Sequence, residues 1–172
     1  MTTTLVLGGA RSGKSAFAEK LALETRQPVN YIATAQAEDK EMRRRIERHR
    51  KRRPVDWNTH ETPSGLAGYI AAISTETRSC IIVDCLGLWL SNLILVDDED
   101  MWQVERKALL DLLPKLQSTL ILVGSETGLG NIAMDPLTRR FNDEAGLLHQ
   151  EIAQQADRVV LVVAGLPHTL KG

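Results

Sequence analysis

Gly8-Gly9-Ala10-Arg11-Ser12-Gly13-Lys14-Ser15 is the stretch that decides the fold, because it fits G-x-x-x-x-G-K-[ST] without a mismatch. An apolar segment, Leu5-Val6-Leu7, precedes it and a helix-forming one, Ala16 to Glu24, follows. That strand–loop–helix context is what the pattern needs in order to act as a phosphate cradle. Successive backbone N–H groups of Gly9, Ala10, Arg11 and Ser12, together with the helix N-terminus, can wrap a polyphosphate. Gly8 and Gly13 permit torsions and close approach that a side chain would block. Lys14 can set its ammonium against β- and γ-phosphate oxygens, and Ser15 can offer a hydroxyl to Mg²⁺. The run therefore reads as a binding site for a nucleoside triphosphate.

Working outward, apolar runs alternate with helical patterns almost throughout, which predicts an α/β protein with a mainly parallel central sheet flanked by helices. The expected strands are Thr4–Leu7, Val29–Ala33, Cys80–Val83, Thr119–Val123 and Arg158–Val163. Their near-continuous apolarity suits strands covered on both faces. The expected helices are Ser15–Thr25, Asp39–Arg53, Ser64–Ser74, Trp89–Leu95, Met101–Leu113 and Pro136–Ala156. Pro54 ends the second helix near Arg53, and Asp135-Pro136 reads as an N-cap followed by proline at the first helical position. With 172 residues and no linker or repeat, the chain reads as one domain, 1–172.

Composition excludes several classes. A formal net charge of −1 argues against nucleic acid or an anionic membrane as the main partner. The longest apolar candidate, Leu86 to Val96, is interrupted by Ser91 and Asn92 and is too short to span a bilayer. Thr2, Thr3 and Thr4 lead straight into a strand, so no signal peptide is expected and the cytoplasm is the expected compartment. Cys80 and Cys85 form neither a zinc pattern nor a disulfide framework and read as small buried residues.

Two further pieces of chemistry stand out. Ile81-Ile82-Val83-Asp84 is an apolar run ending in a carboxylate, which would place Asp84 at the carboxyl end of its strand. There it could hold Mg²⁺ opposite Ser15, or serve only as a cap or loop carboxylate. Residues 43 to 53 hold eight of the chain's 21 Lys and Arg residues. Such a cationic helix is a solvated face, a nucleic-acid element, or a second wall that neutralises triphosphate charge. No interleaved aromatic supports the nucleic-acid reading. Met42, Ile46 and His49 form an i, i+4, i+7 stripe that should pack inward. Arg45, Arg48, Arg50 and Arg53 surround His49, and nearby positive charge disfavours imidazolium, so the ring should keep a lone pair at neutral pH. A neutral imidazole facing a phosphate is a nucleophile toward phosphorus. Chemistry alone leaves a core or capping histidine equally open.

These segments carry a resemblance. The loop Gly8 to Ser15, then Tyr31-Ile32-Ala33-Thr34-Ala35, then Arg45-Ile46 with His49-Arg50 and Arg53-Pro54 leading to Trp57, Thr59 and Glu61, together resemble the bifunctional adenosylcobinamide kinase/adenosylcobinamide-phosphate guanylyltransferases of cobalamin biosynthesis. Glu126, Gly128, Gly130, Phe141, Asp143, Ala145, Gly146 and Gly165 extend it over essentially the whole chain. The resemblance implies a P-loop, RecA-like fold, ATP, GTP, adenosylcobinamide and its phosphate as partners, Mg²⁺ as cofactor, and a homo-oligomer, a trimer. It implies that Lys14 and His49 are catalytic, His49 becoming guanylylated. Nucleotide contacts are expected along the loop, near Ile32, Ala33 and Thr34 after the second strand, on Glu61 as a guanine reader, and at Asp84. Arg50, Lys51, Arg52 and Arg53 are candidates for the α-phosphate or the departing pyrophosphate. Asn142 stands where family members often carry Arg, and His149 where they often carry Asn, which touches acceptor binding rather than the phosphate loop. Glu126 reads as a base, a second metal ligand or a loop anchor; His60, His149 and His168 read as non-catalytic. The alternative function is a P-loop small-molecule kinase without nucleotidyl transfer.

Overall fold

The computed structural model describes residues 2–36, 40–75, 78–95, 99–130 and 132–172, without the side chains of Met42, Arg45, Arg48, Arg52 and Glu99. The expected helix start at Asp39 and the Met42 end of the inward stripe therefore lie outside the described residues.

Seven strands form one sheet in the order β3-β2-β4-β5-β1-β6-β7. These are β1 (Thr3–Gly8), β2 (Val29–Ala33), β3 (Asn58–Glu61), β4 (Cys80–Asp84), β5 (Thr119–Ser125), β6 (Arg158–Val163) and β7 (Leu166–Lys171). All neighbours pair in parallel except β6 and β7, which form an antiparallel hairpin. The helices are α1 (Lys14–Glu24), α2 (Lys40–Arg52), α3 (Leu66–Ser74), α4 (Leu86–Ile94), α5 (Glu99–Leu112) and α6 (Pro136–Gln155).

Side chains alternate across the sheet with period two, so each strand feeds two cores. Leu5, Ile32, Ile81, Val83, Leu120 and Leu122 meet α3–α6 on one face. Val6, Tyr31, Ile82, Ile121, Val123 and Val160 meet Ala18 and Ala22 of α1 on the other. Burial on both faces explains why these strands read as continuous apolar runs. Cys80 and Cys85 are buried free thiols. Burial pushes the Cys80 thiol up to about 11 and raises Cys85 as well, so both stay protonated.

Five strands match the sequence reading within a residue or two. The two missed, β3 and β7, sit at the sheet edges. β3 (Asn-Thr-His-Glu) is polar and mostly exposed, and all six residues of β7 are exposed. An edge strand with little burial carries no apolar pattern to detect. Helix α4 begins at Leu86 rather than Trp89 because all but one of its first five residues are buried, which hides the amphipathic period. Helix α3 begins at Leu66 rather than Ser64, and its cap comes from another element: Glu105 of α5 accepts from the N–H groups of Gly65 (2.6 Å) and Leu66 (3.3 Å). At α6 the local cap holds as read, with Asp135 accepting from Thr138 N–H at 2.8 Å. Among the described residues no helix is long and apolar enough to cross a membrane.

Candidate active site

The phosphate loop joins β1 to α1 at the carboxyl edge of the sheet. A Cβ on Gly8 would lie 2.4 Å from Ser12 Oγ and 2.6 Å from the Val162 carbonyl oxygen, so only glycine fits there. Gly13 has φ +96°, which places it in the region that favours glycine. The turn between β6 and β7 braces the loop from beneath, with Gly165 N–H donating to the Ser12 carbonyl at 2.8 Å. Lys14 Nζ donates to the Gly9 carbonyl at 3.1 Å, so the ammonium folds over the cradle it is expected to serve. Ser15 is half-buried in the first turn of α1.

Strand order places one strand, β5, between the loop strand and the Asp84 strand. Gly8 pairs with Ser125 and Asp84 with Val123, so Ser125 and Glu126 emerge between the two. Glu126 is committed locally: its Oε1 accepts from Gly128 N–H (2.9 Å) and Leu129 N–H (3.2 Å). Of the three readings for Glu126, the geometry favours the loop anchor.

Asp84 ends β4 half-buried. Tyr31 pairs with Ile82, which puts Asp84 two residues along the neighbouring strand on the same face. The Tyr31 hydroxyl donates to Asp84 Oδ2 at 2.5 Å. Burial, and then the Asp84 charge, raise the Tyr31 phenol far above its ordinary range, so it remains the proton donor. The Arg53 guanidinium lies 3.7 Å over the Tyr31 ring, and Trp57 stacks on the same ring at 6.2 Å. Arg53 Nε and Nη1 are buried without a protein partner. This stack was not legible as a unit in the sequence. The available signal was a tyrosine in a buried parallel strand, since its hydroxyl must find a partner.

Helix α2 presents a consistent inner face. Ile46, His49 and Arg53 are half-buried, while Arg43, Arg44, Glu47, Arg50 and Lys51 are exposed. His49 stands four residues, about one helical turn, before Arg53. Arg50 forms an ion pair with Glu61 at the end of β3, both side chains a little over half exposed (53% and 56%). Glu61 is the last residue of β3.

Two of the expected nucleotide contacts present no exposed side chain. Ile32 lies within β2 with no exposed surface, and Thr34 is equally buried. The Thr34 hydroxyl donates to the Cys85 carbonyl (2.7 Å) and accepts from Cys85 N–H (3.0 Å), while Asn92 holds the Thr34 carbonyl. Both side chains support the site from behind, and Ala33 is only 8% exposed. His60 is a structural residue, placed between Asn30 (3.2 Å) and the Tyr69 hydroxyl (2.6 Å).

Among the described residues no three His, Cys, Asp or Glu side chains group to hold a metal. Ser15 and the second oxygen of Asp84, from two elements at the carboxyl edge of the sheet, are both hard oxygen donors. Such donors fit Mg²⁺, which binds through one or two protein oxygens plus phosphates and water, and do not fit a soft metal.

Fold and loop together define a nucleotide-binding protein of the P-loop, RecA-like class. Solved structures agree at the level of fold: the RadB recombinase superposes with TM-score 0.55 at 14% identity, over 93% of this chain and 73% of that one. A Pyrococcus horikoshii protein, PH0250, gives 0.59 at 9% identity, over 99% and 86%. The family model for cobinamide kinase/cobinamide phosphate guanyltransferase (CobU) matches residues 4–170, and the chain belongs to that family. It is 54% identical to the bifunctional adenosylcobalamin biosynthesis protein CobP of Pseudomonas aeruginosa, over 98% of this chain and 96% of the relative. It is 36% identical to the Escherichia coli bifunctional adenosylcobalamin biosynthesis protein CobU, over 97% and 98%.

Proposed function

We propose that this enzyme carries out two transfers: it phosphorylates adenosylcobinamide with ATP or GTP, then moves GMP from GTP to adenosylcobinamide phosphate through a guanylylated His49, giving adenosylcobinamide-GDP. Family membership supports the pair of reactions. The observation that carries the histidine route is the α2 inner face, where His49 stands one turn from an arginine docked on the Tyr31–Asp84 pair.

In the first transfer the loop amides and Lys14 hold the β- and γ-phosphates, and the arm hydroxyl of the acceptor attacks the γ-phosphorus in line. Ser15 and Asp84 would hold Mg²⁺, whose charge neutralises phosphate oxygens when it is bound. In the second transfer His49 bonds to the α-phosphorus of GTP and pyrophosphate leaves. The acceptor phosphate then takes GMP and releases the imidazole. A covalent intermediate replaces one difficult displacement by two easier ones. Arg50, Lys51, Arg52 and Arg53 are the candidates for the α-phosphate or the departing pyrophosphate.

Strand β2 stands three spacings from β1 and β3 four, roughly 14–19 Å at the usual strand separation. If His49 rests as far from the cradle as these strands do, the second transfer includes a closing movement of α2 toward the cradle. The Arg50–Glu61 pair is exposed and worth at most about 1 kcal/mol, so closure can break it at little cost. The fully exposed edge strand β7 supports the reading of a homo-oligomer, a trimer by resemblance, which sedimentation would test.

Labelling tests the histidine route. Incubation with α-³²P-GTP and Mg²⁺ should leave an acid-labile, base-stable label on the denatured protein, absent from His49→Ala. Kinase turnover without any label would remove the transferase half and leave a P-loop small-molecule kinase.

A further inference from the structure

A cleft of about 350 Å³ opens between α4 and α6, lined by none of the expected nucleotide-binding residues. Leu95, Leu137 and Phe141 give it apolar walls, and Ser91, Ser125 and Thr127 supply hydroxyls. Three observations connect it to the chemistry. Ser125 pairs with Gly8 of the loop, and Glu126 N–H donates to the Gly8 carbonyl at 3.0 Å, so the cleft wall at Ser125 adjoins the strand that opens the cradle. Cys85, which also lines the cleft, directly follows Asp84. The Thr127 hydroxyl donates to Asn142 Oδ1 at 2.7 Å, which leaves its lone pairs available as acceptors. Asn142 is one of the positions at which this chain departs from the family pattern, and it acts here through Thr127.

We infer that this cleft receives the hydroxyalkyl-amide arm of the corrinoid acceptor and delivers its terminal hydroxyl to the γ-phosphate held by Lys14 and the loop. The inference rests on the proposed kinase reaction and assigns its second substrate a place. Size favours the arm over the macrocycle, since about 350 Å³ lies at the lower end of the roughly 300–1,000 Å³ of small-ligand pockets. The chemistry agrees: an amide and a secondary alcohol on a short alkyl chain need a few hydroxyl partners within apolar walls. The macrocycle then stays outside, and the surface there is apolar. Leu95 and Leu137 at the cleft are 59% and 47% exposed, and Ile132 and Met134, on the segment leading into α6, are 89% and 94% exposed. The exposed Leu95 and Leu137 at the cleft offer the macrocycle an apolar contact. In the transfer, the arm oxygen bonds to the γ-phosphorus as the bond to the β–γ bridging oxygen breaks. The nucleoside diphosphate leaves, and the hydroxyl proton passes to solvent.

The test compares the parent enzyme with Ser91→Phe, which fills the cleft, and Thr127→Val, which keeps its shape but removes one hydroxyl. Steady-state kinase assays use adenosylcobinamide as the varied substrate, and thermal stabilisation by GTP reports nucleotide binding independently. The expected result is a KM for adenosylcobinamide raised at least about tenfold in Ser91→Phe and about threefold or more in Thr127→Val, with GTP stabilisation unchanged. If the parent turns over and both variants keep the parental KM within about twofold, the cleft is not the acceptor site, while the proposed function stands. If the parent itself fails to phosphorylate adenosylcobinamide, the kinase reading falls and this inference falls with it. Should Ser91→Phe not fold, as shown by lost GTP stabilisation, Thr127→Val alone decides.

Discussion

Replacing Tyr31 by Phe isolates the bond that joins the second strand to the carboxylate expected to hold the metal. The ring survives, so Trp57 and Arg53 keep their stacking partner and only the hydroxyl is lost. A hydrogen bond to a charged group contributes about 1.5–3 kcal/mol. Phe leaves no donor stranded in the core, and Asp84 is only half-buried, so water can replace the lost partner. The lower end applies, about 1.5 kcal/mol. With an unfolding entropy of about 2.1 cal/mol/K per residue, 172 residues give about 0.36 kcal/mol/K, and Tm should fall by about 4 °C. Calorimetry in Mg²⁺-free buffer reads this directly. The same substitution in an Asp84→Ala background provides the sign test, because there the buried Tyr31 hydroxyl has lost its acceptor. Removing it should then be neutral or stabilising. An equal fall in Tm in both backgrounds would refute the pairing as a source of stability.

Three other outcomes follow from the geometry. Gly8→Ala places a Cβ 2.6 Å from a backbone carbonyl that cannot rotate away, so the loop must shift; GTP affinity by calorimetric titration should fall at least about 100-fold, and a loss below about fivefold contradicts the fit. Glu61→Ala should change stability by less than about 1 kcal/mol, since its pair with Arg50 is exposed, yet abolish the preference for GTP over ATP in nucleotidyl transfer; retained preference excludes guanine reading. Burial lowers the pKa of His149 below its ordinary 6.5, so its neutral form contributes stability above that value that is lost as pH falls through the lowered folded pKa. His149→Asn should flatten the decline in Tm between about pH 7.5 and 5.5, and an unchanged slope would assign that decline to other groups.

The structure bears on the proposed chemistry most clearly at α2. The inward face read from Ile46 and His49 is half-buried as expected, and Arg53 continues it. Its docking partner, Tyr31, could not be singled out. Tyr31 and Arg53 are 22 positions apart in the sequence, and their contact depends on the chain returning from α2 to lay β3 beside β2. Thr34, expected near the nucleotide by resemblance, has its side chain buried against Cys85 by the parallel pairing of β2 with β4, a burial its position after an apolar strand did not reveal.

By itself the sequence determined the phosphate loop, the five inner strands, the Asp135 cap and the family. All of these are local patterns: a loop whose backbone must accept glycine torsions, apolar runs with flanking helices, or motif residues close together in the chain. Only the tertiary structure decided the strand order that inserts β5 between Gly8 and Asp84, the two polar edge strands, the Glu105 cap on α3, and the cleft formed where α4 meets α6. Each depends on residues brought together across the sheet, and a contact between distant segments leaves no periodicity in either one.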